Sequence, residues 1–357
     1  MVSPSMFWVR DAHPSDIDEI YEVAGHLDTV NLPADREALA RLLDHAHQSF
    51  SQALPPFERT YLFVLVDSGA KAGPREGRII GTSMILAQHG TKKQPHIYFD
   101  VLEEERYSET LDRHVQHQVL RIGYNYQGPT EIGGLILLPE YRKSPHRLGK
   151  LLSFVRFLYI GCHRTNFRKQ VLSELLPPLE SDGTSRLWEH LGRRFTGMSY
   201  QEADRLSQTN KEFIRSLFPQ DPLYVCLLPD GVQTLIGAVG PKNRGVEVML
   251  RSIGFEYARR IDPFDGGPHF VAKTEDITLL ETLVSFEQAT ASSALSSAAS
   301  PQWGLVAIER PEVAPHFRCA LTRYHIEQGA LSIDEAVARR IGYTEGDRVW
   351  LLPAAKA

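Results

Sequence analysis

The sequence predicts an α+β fold: a mixed, mainly antiparallel sheet flanked by helices, followed by a small β-rich C-terminal extension. Three observations predict it. Near the start an alternating apolar segment gives way to a helical period. Two β-rich runs in the first quarter are joined by a Gly/Pro-rich connection suited to a hairpin. Short β-like and short helical patterns then alternate through the rest of the 357 residues. A chain of this length can bury more than one core. Three consecutive segments are expected: 1–200, a second α/β segment at 201–290, and the small β-rich segment at 291–357.

Taken in order, "MFWVRDAHPSDIDEIYEVAGHL" breaks at Pro14 and enters a helix with Ser15 or Asp16 as N-cap, its stripe made by Ile17, Ile20, Val23 and Leu27. "PADREALARLLDHAHQSF" is a second helix, started by Pro33 and Asp35, with Leu39, Leu42 and Leu43 on one face. "TYLFVLVD" and "RIIGTSMILAQ" are antiparallel strands across "SGAKAGPREG". "HIYFDVL" is a further strand, and the polar stretch from it to Gly128 has no assignable pattern. "EIGGLILL" is a strand, the basic loop after it leads into a helix through "LLSFVRF", and "QVLSELL" is the next strand. Helices are expected in "TSRLWEHLGRRF", ending near Gly192, and in "QEADRLSQTNKEFIRSLFP". "PLYVCLL" reads as a strand, and "KNRGVEVMLRSIGFEYARRIDPF" as a helix ended by Gly254 and followed by a strand. "TASSALSSAASPQ" reads as an exposed loop. After it, "WGLVAIE", "FRCALTRYHI" and "DRVWLL" are strands, with a helix at "SIDEAVARRIG".

Composition narrows the function. Hydrophobic residues at 42% and charged ones at 23% are globular values, and no apolar run approaches the roughly 20 residues of a membrane helix. The N-terminal residues do not read as a signal peptide, so a cytoplasmic location is expected. A formal net charge of −5 argues against a general nucleic-acid binder. Cys162, Cys226 and Cys319 have no metal-ligand or disulfide spacing, and His45/His47 and His114/His117 come with no further ligands, so no metal is expected.

The densest chemical signal is the turn after "LILL". Arg142, Lys143, Arg147 and Lys150 crowd the start of a helix whose first amides lack acceptors and whose N-terminus carries partial positive charge. That arrangement suits a pyrophosphate, with Gly149 allowing close backbone approach. Glycines in the strand before it suit a bulge or a ligand lying along the backbone, as the amides of a pantetheine arm would. A solvated basic surface is the competing explanation. Neither the P-loop nor the dinucleotide fingerprint is present.

The segments "YLFVLVD", "LILLPEYRK", "LLSFVRF", "LWEHLGRRF", "IRSLFPQDPLY", "LIGAVGP", "IGFEYARRIDPFDGGP", "HFR" and "GDRV", in this order over nearly the whole chain, resemble the arginine N-succinyltransferase family of the GNAT class of acyl-CoA N-acyltransferases. The resemblance implies a GNAT-like fold, with 1–200 binding acyl-CoA and 201–290 completing the substrate site. It also implies transfer of a succinyl group from succinyl-CoA, or of another acyl group, to the amine of arginine or a related amine such as ornithine, and a homo-oligomer. Its acyl-CoA contacts fall on Leu135, with Leu137, Arg142, Arg147, Gly149 and Lys150 beside it. Departures accompany the matches. The family's proton-donor histidine aligns with Gly240, a second family histidine aligns with Tyr126, and the basic turn is two residues longer, with Arg147 in place of a glycine. Three readings stay open: an acyltransferase with changed acid/base residues, a conventional arginine succinyltransferase, and a catalytically silent homologue acting as a subunit or acyl-CoA-binding module.

Individual residues follow from the chemistry. An attacking amine must be neutral, so a proton acceptor is needed, and Glu174 in the apolar strand "VLSELLPPL" is the candidate. Tyr126 is the candidate donor to the leaving thiolate. In "DPFDGGPHF", Asp265 and His269, with Asp262, suit a guanidinium and an α-amino group. Arg318 in "PHFR", beside His316, suits the succinyl carboxylate.

Overall fold

The computed structural model describes residues 7–26, 32–69, 77–92, 94–207, 210–297 and 302–354. Leu27, most of the 68–77 connection, residues 208–209 and the end of the Ser/Ala-rich segment therefore lie outside the described residues. Two compact units interleave along the chain: the first holds 1–87, 132–167 and 278–357, the second 88–131 and 168–277. They cut across the expected segments 1–200, 201–290 and 291–357, because strands distant in sequence pair with one another and no composition signal marks that.

The first unit begins with β1 (Phe7–Asp11), a single 3-10 turn at Pro14–Asp16, α1 (Ile17–Ala24) and α2 (Arg36–Phe50). Asp16, where the sequence offered Ser15 or Asp16, precedes α1; its carboxylate accepts the His13 amide and pairs with Arg10. Asp35 caps α2 by accepting the Ala38 amide. β2 (Thr60–Asp67) and β3 (Arg78–Leu86) are antiparallel, as their β-rich patterns require.

In the second unit β4 (His96–Ser108) and β5 (Arg113–Asn125), 13 residues each, form a hairpin. Its outer half, exposed on both faces, is the polar stretch the sequence left unassigned: with neither face buried, no alternation develops. β6 (Thr130–Leu137) starts in the second unit, where Thr130 and Glu131 pair in parallel with β7, and continues into the first. There it leads to α3 (Leu148–Cys162), buried along most of its length. β7 (Gln170–Glu174) belongs to the second unit.

The expected "TSRLWEHLGRRF" helix is two pieces, α4 (Arg186–His190) and α5 (Gly192–Thr196). Gly192 opens the second instead of ending the first, and Gly197, at φ 73°, terminates it. A Cβ on Gly192 would fall 2.3 Å from the Trp188 ring, so this glycine serves packing. The next helical stretch is also divided, into α6 (Tyr200–Ser207) and α7 (Glu212–Leu217). "PLYVCLL" gives only β8 (Leu223–Tyr224) before a 3-10 turn, and α8 (Asp230–Gln233) follows. α9 (Arg244–Ser252), Gly254 at φ 101°, β9 (Glu256–Ile261) and β10 (Pro268–Lys273) match the expected helix, stop and strand.

Returning to the first unit, α10 (Thr278–Glu281), β11 (Val284–Phe286) and β12 (Ala289–Ser292) come next. β12 corrects the Ser/Ala-rich loop: its first residues pair in parallel with β15. β13 (Gln302–Glu309), β14 (Phe317–Glu327), β15 (Ala330–Asp334), α11 (Glu335–Ile341) and β16 (Val349–Pro353) complete the chain. Gly342, at φ 70°, ends α11 in the left-handed conformation that favours glycine.

Strand order in the first unit is β11-β16-β13-β14-β1-β2-β3-β6. Its "C-terminal extension" is thus no appendage, since β14 pairs directly with β1. In the second unit the order is β7-β10-β9-β4-β5-β8. A core of Ile97, Phe99, Leu120, Leu187, Trp188 and Phe264 backs that sheet, with Trp188 and Phe264 stacked at 5.1 Å. The stack holds the turn that follows β9 against the sheet.

Candidate active site

Antiparallel register places His269 of β10 opposite Glu174, the last residue of β7. His96, at the start of β4, comes alongside: its Nε2 lies 3.2 Å from Glu174 Oε1, and His269 Nε2 lies 3.3 Å from the same oxygen. The His96 and His269 rings are stacked at 5.3 Å, and His89 meets His96 edge-on at 4.4 Å. Glu131, at the start of β6, binds His89 Nδ1. Around this group, Tyr98 packs on His96, and Arg260, paired with Asp100 at 2.9 Å, stacks over the Tyr98 ring.

His96 and His269 are buried, whereas the Glu174 side chain keeps 27% exposure. Burial, with His89 beside it, takes His96 down to about 3, and burial likewise lowers His269, so both rings are neutral at pH 7. Burial alone would raise the Glu174 carboxyl, but the pull of His269 and His96 in their protonated form outweighs it and lowers the group below the ordinary carboxylate range, so it is ionised at pH 7. Both ring nitrogens of His96 and of His269 lack an aligned hydrogen-bond partner among the described residues. Leaving a buried polar atom unsatisfied costs about 1–3 kcal/mol, which a polar ligand at these rings would relieve. The arrangement is an ionised carboxylate, partly open to solvent and walled by neutral imidazoles.

The 262–267 turn adds two more carboxylates. Asp262 Oδ1 accepts the Phe264 and Asp265 amides at 2.7 and 3.1 Å, and Asp265 Oδ1 accepts the Gly267 amide at 2.7 Å. One oxygen of each shapes the turn. Burial, and then the Glu174 charge, pushes Asp262 up to about 7; burial, and then Asp262, raises Asp265 as well. Mutual repulsion among Glu174, Asp262 and Asp265 is relieved by a proton or by a cationic ligand.

In the first unit, the basic turn has the expected strand-loop-helix form. Gly134 takes φ 55° within β6, a local distortion of the strand, and its carbonyl accepts Thr82 Oγ1 at 3.0 Å. Leu135 and Leu137 are half-buried, alternating with buried Ile136 and Leu138. Arg142 Nε donates to the Leu137 carbonyl at 2.9 Å, tying loop to strand. Arg147 precedes α3 at φ 51°, a left-handed conformation better suited to glycine, and is exposed. A Cβ on Gly149 would meet nothing within 4 Å, which leaves open space over the first turn of α3. Lys150 lies over Phe154 at 5.0 Å.

Of the residues singled out from sequence, Glu174 and His269 are brought together directly, with Asp265 in the adjoining turn. Tyr126 is exposed just past β5. Arg318 is in the first unit, on β14, where Nη1 donates to the Ile341 carbonyl at 3.3 Å. Beside it His316 bonds Asp11 at 3.0 Å. Sequence reasoning missed His89, His96 and Glu131. Their only local signal is two histidines next to Gly90 and Pro95, seven residues apart, a spacing that matches no site pattern.

A family model described as "Arginine N-succinyltransferase beta subunit" matches residues 7–279. Curated arginine N-succinyltransferases from Yersinia pestis (strain Pestoides F) and Yersinia enterocolitica are 30% and 31% identical to this chain. The first aligns over 96% of this chain and 97% of its own length, the second over 97% of each. The chain belongs to the arginine N-succinyltransferase family. A solved structure, arginine/ornithine succinyltransferase subunit AI from Pseudomonas aeruginosa, shares the fold: TM-score 0.81 at 24% identity, covering 98% of this chain and 99% of that one.

Gly240, where the resemblance implies that a family histidine is replaced, donates its amide to the Leu176 carbonyl at 2.9 Å, two residues beyond Glu174. A Cβ there would lie 2.6 Å from the Pro177 carbonyl oxygen and 2.8 Å from that of Leu176. The backbone has closed over the position, so a side chain there requires the strand end to move.

Two outcomes follow. Gly240→His is expected to lower the melting temperature, by overpacking worth about 1–3 kcal/mol, without raising acyl transfer; a gain in turnover would show that the position still accepts a histidine. Asp262 binds a proton more tightly folded than unfolded, so its contribution to stability falls as pH rises from about 4 to about 7. In thermal melts, Asp262→Asn should therefore gain on the parent between about pH 5 and about pH 8; a pH-independent difference would mean that Asp262 is not raised.

Proposed function

We propose that the protein is an acyl-CoA-dependent N-acyltransferase that moves a succinyl group from succinyl-CoA to the α-amino group of arginine, with Glu174 as the base, in the cytoplasm. The observation that carries this reading is the ionised, half-open Glu174 carboxylate flanked by neutral His96 and His269 in a chain of this family.

The turn into α3 suits the CoA pyrophosphate: a helix N-terminus that no side chain caps, the helix dipole, Arg142, Arg147 and Lys150 all favour an anion there. Leu135 and Leu137 offer an apolar strand face to the pantetheine and acyl portion. Asp262 and Asp265 suit the guanidinium, their repulsion relieved by its charge. A neutral α-amine attacks the thioester carbonyl, its excess proton passes to Glu174, and the C–S bond breaks to release CoA as thiolate. The proton held by Glu174 then neutralises the thiolate, so the carboxylate is restored. Tyr126, an exposed phenol, is the second candidate for this donation, and Arg318 remains the candidate partner of the succinyl carboxylate. Ornithine is the alternative amine, since its shorter side chain carries the same charge.

The silent-homologue reading has less support, because an ionised carboxylate and neutral imidazoles remain gathered in one partly open cluster. Arginine-dependent thiol release from succinyl-CoA is expected, and Glu174→Gln should reduce it by about 10²–10⁴-fold while leaving succinyl-CoA binding near that of the parent. No release with arginine or ornithine, alongside intact succinyl-CoA binding, would instead establish a binding subunit.

A further inference from the structure

The His–Glu cluster has a second chemical capacity. One ligand atom each from His89, His96 and Glu174 lie within 4.8 Å of one another. A four-coordinate ion with bonds of about 2.0–2.2 Å holds its ligand atoms about 3.3–3.5 Å apart. His96 Nε2 and Glu174 Oε1 are already 3.2 Å apart, as close as such an edge requires, yet are not aligned as a hydrogen bond. His89 has its Nδ1 engaged by Glu131, which leaves Nε2 as its donor atom; a carboxylate behind a ligating imidazole is the usual support of a metal-bound histidine. His96 is buried with both ring nitrogens unpartnered among the described residues. These are imidazole and carboxylate donors, which suit zinc-class ions better than magnesium or calcium.

We propose that His89, His96 and Glu174 form a site for one divalent transition-metal ion of the zinc class, and that the ion excludes the amine substrate by occupying Glu174. The ion takes the Glu174 lone pair that would otherwise accept the amine proton, with one coordination position left for water. His269, 3.3 Å from the same carboxylate oxygen, borders the ion. The binding stands on the geometry alone, whereas the exclusion rests on Glu174 being the base.

The test uses untagged, chelator-treated full-length protein and Co²⁺ as a visible probe. Ligand-field bands that saturate at one equivalent are expected, with affinity reduced more than about 10-fold in His96→Ala and in His89→Gln and unchanged in His114→Ala, on the exposed hairpin. Zn²⁺ should raise the KM for arginine and leave kcat unchanged. Absence of saturable bands, or bands that persist in both folded variants, would overturn the site. Thiol release by the chelator-treated protein reports on the base separately. Release that is unaffected by bound Zn²⁺, or that requires it, would overturn the exclusion while leaving the site in place.

Discussion

An ionised carboxylate at the end of a sheet strand dictates what its neighbours can be. Glu174 closes β7 where His269 faces it across the antiparallel register and His96 reaches it from the start of β4. Because burial keeps these rings neutral at pH 7, they leave the carboxylate charge in place. The 262–267 turn lies under the same constraint, and its aspartates respond by holding protons more tightly. The Trp188–Phe264 stack and the glycine required beside Trp188 keep that turn in place. Packing in the second unit thus becomes electrostatics at Glu174.

At Gly240 the chain closes on the Leu176 and Pro177 carbonyls, which leaves no space for a larger side chain. Beside it, four imidazole and carboxylate side chains, His89, His96, His269 and Glu174, converge from β4, β7, β10 and the segment before β4. In the first unit the departure is conformational: Arg147 occupies a left-handed position in which glycine costs least, adding a charge beside the α3 N-terminus at some expense in backbone strain.

What the sequence disclosed depended on whether a signal was local. Buried strands such as β2 and β3, the Asp35 cap and the Gly254 stop were legible because the cause lies within a few residues. The outer β4–β5 hairpin was not, since both faces are solvated and no alternation results. β8 was over-read: "PLYVCLL" is apolar because Val225 packs in the core, not because the run is extended. In the site, Glu174 and the "DPFDGGPHF" turn stood out as charge in apolar or glycine-rich surroundings. His89, His96 and Glu131 did not, because only β-sheet register brings residues more than 40 positions apart to one carboxylate.

The central claim is electrostatic, that an anionic Glu174 sits among neutral imidazoles, and histidine ring ¹⁵N NMR on the chelator-treated protein tests it most directly. The account predicts that at about pH 7, above the ordinary histidine value of about 6.5, His96 and His269 give the widely split shifts of neutral rings, and that Glu174→Gln perturbs both. Averaged imidazolium shifts for these two rings would contradict it, making Glu174 a neutralised ion-pair partner and not an available base.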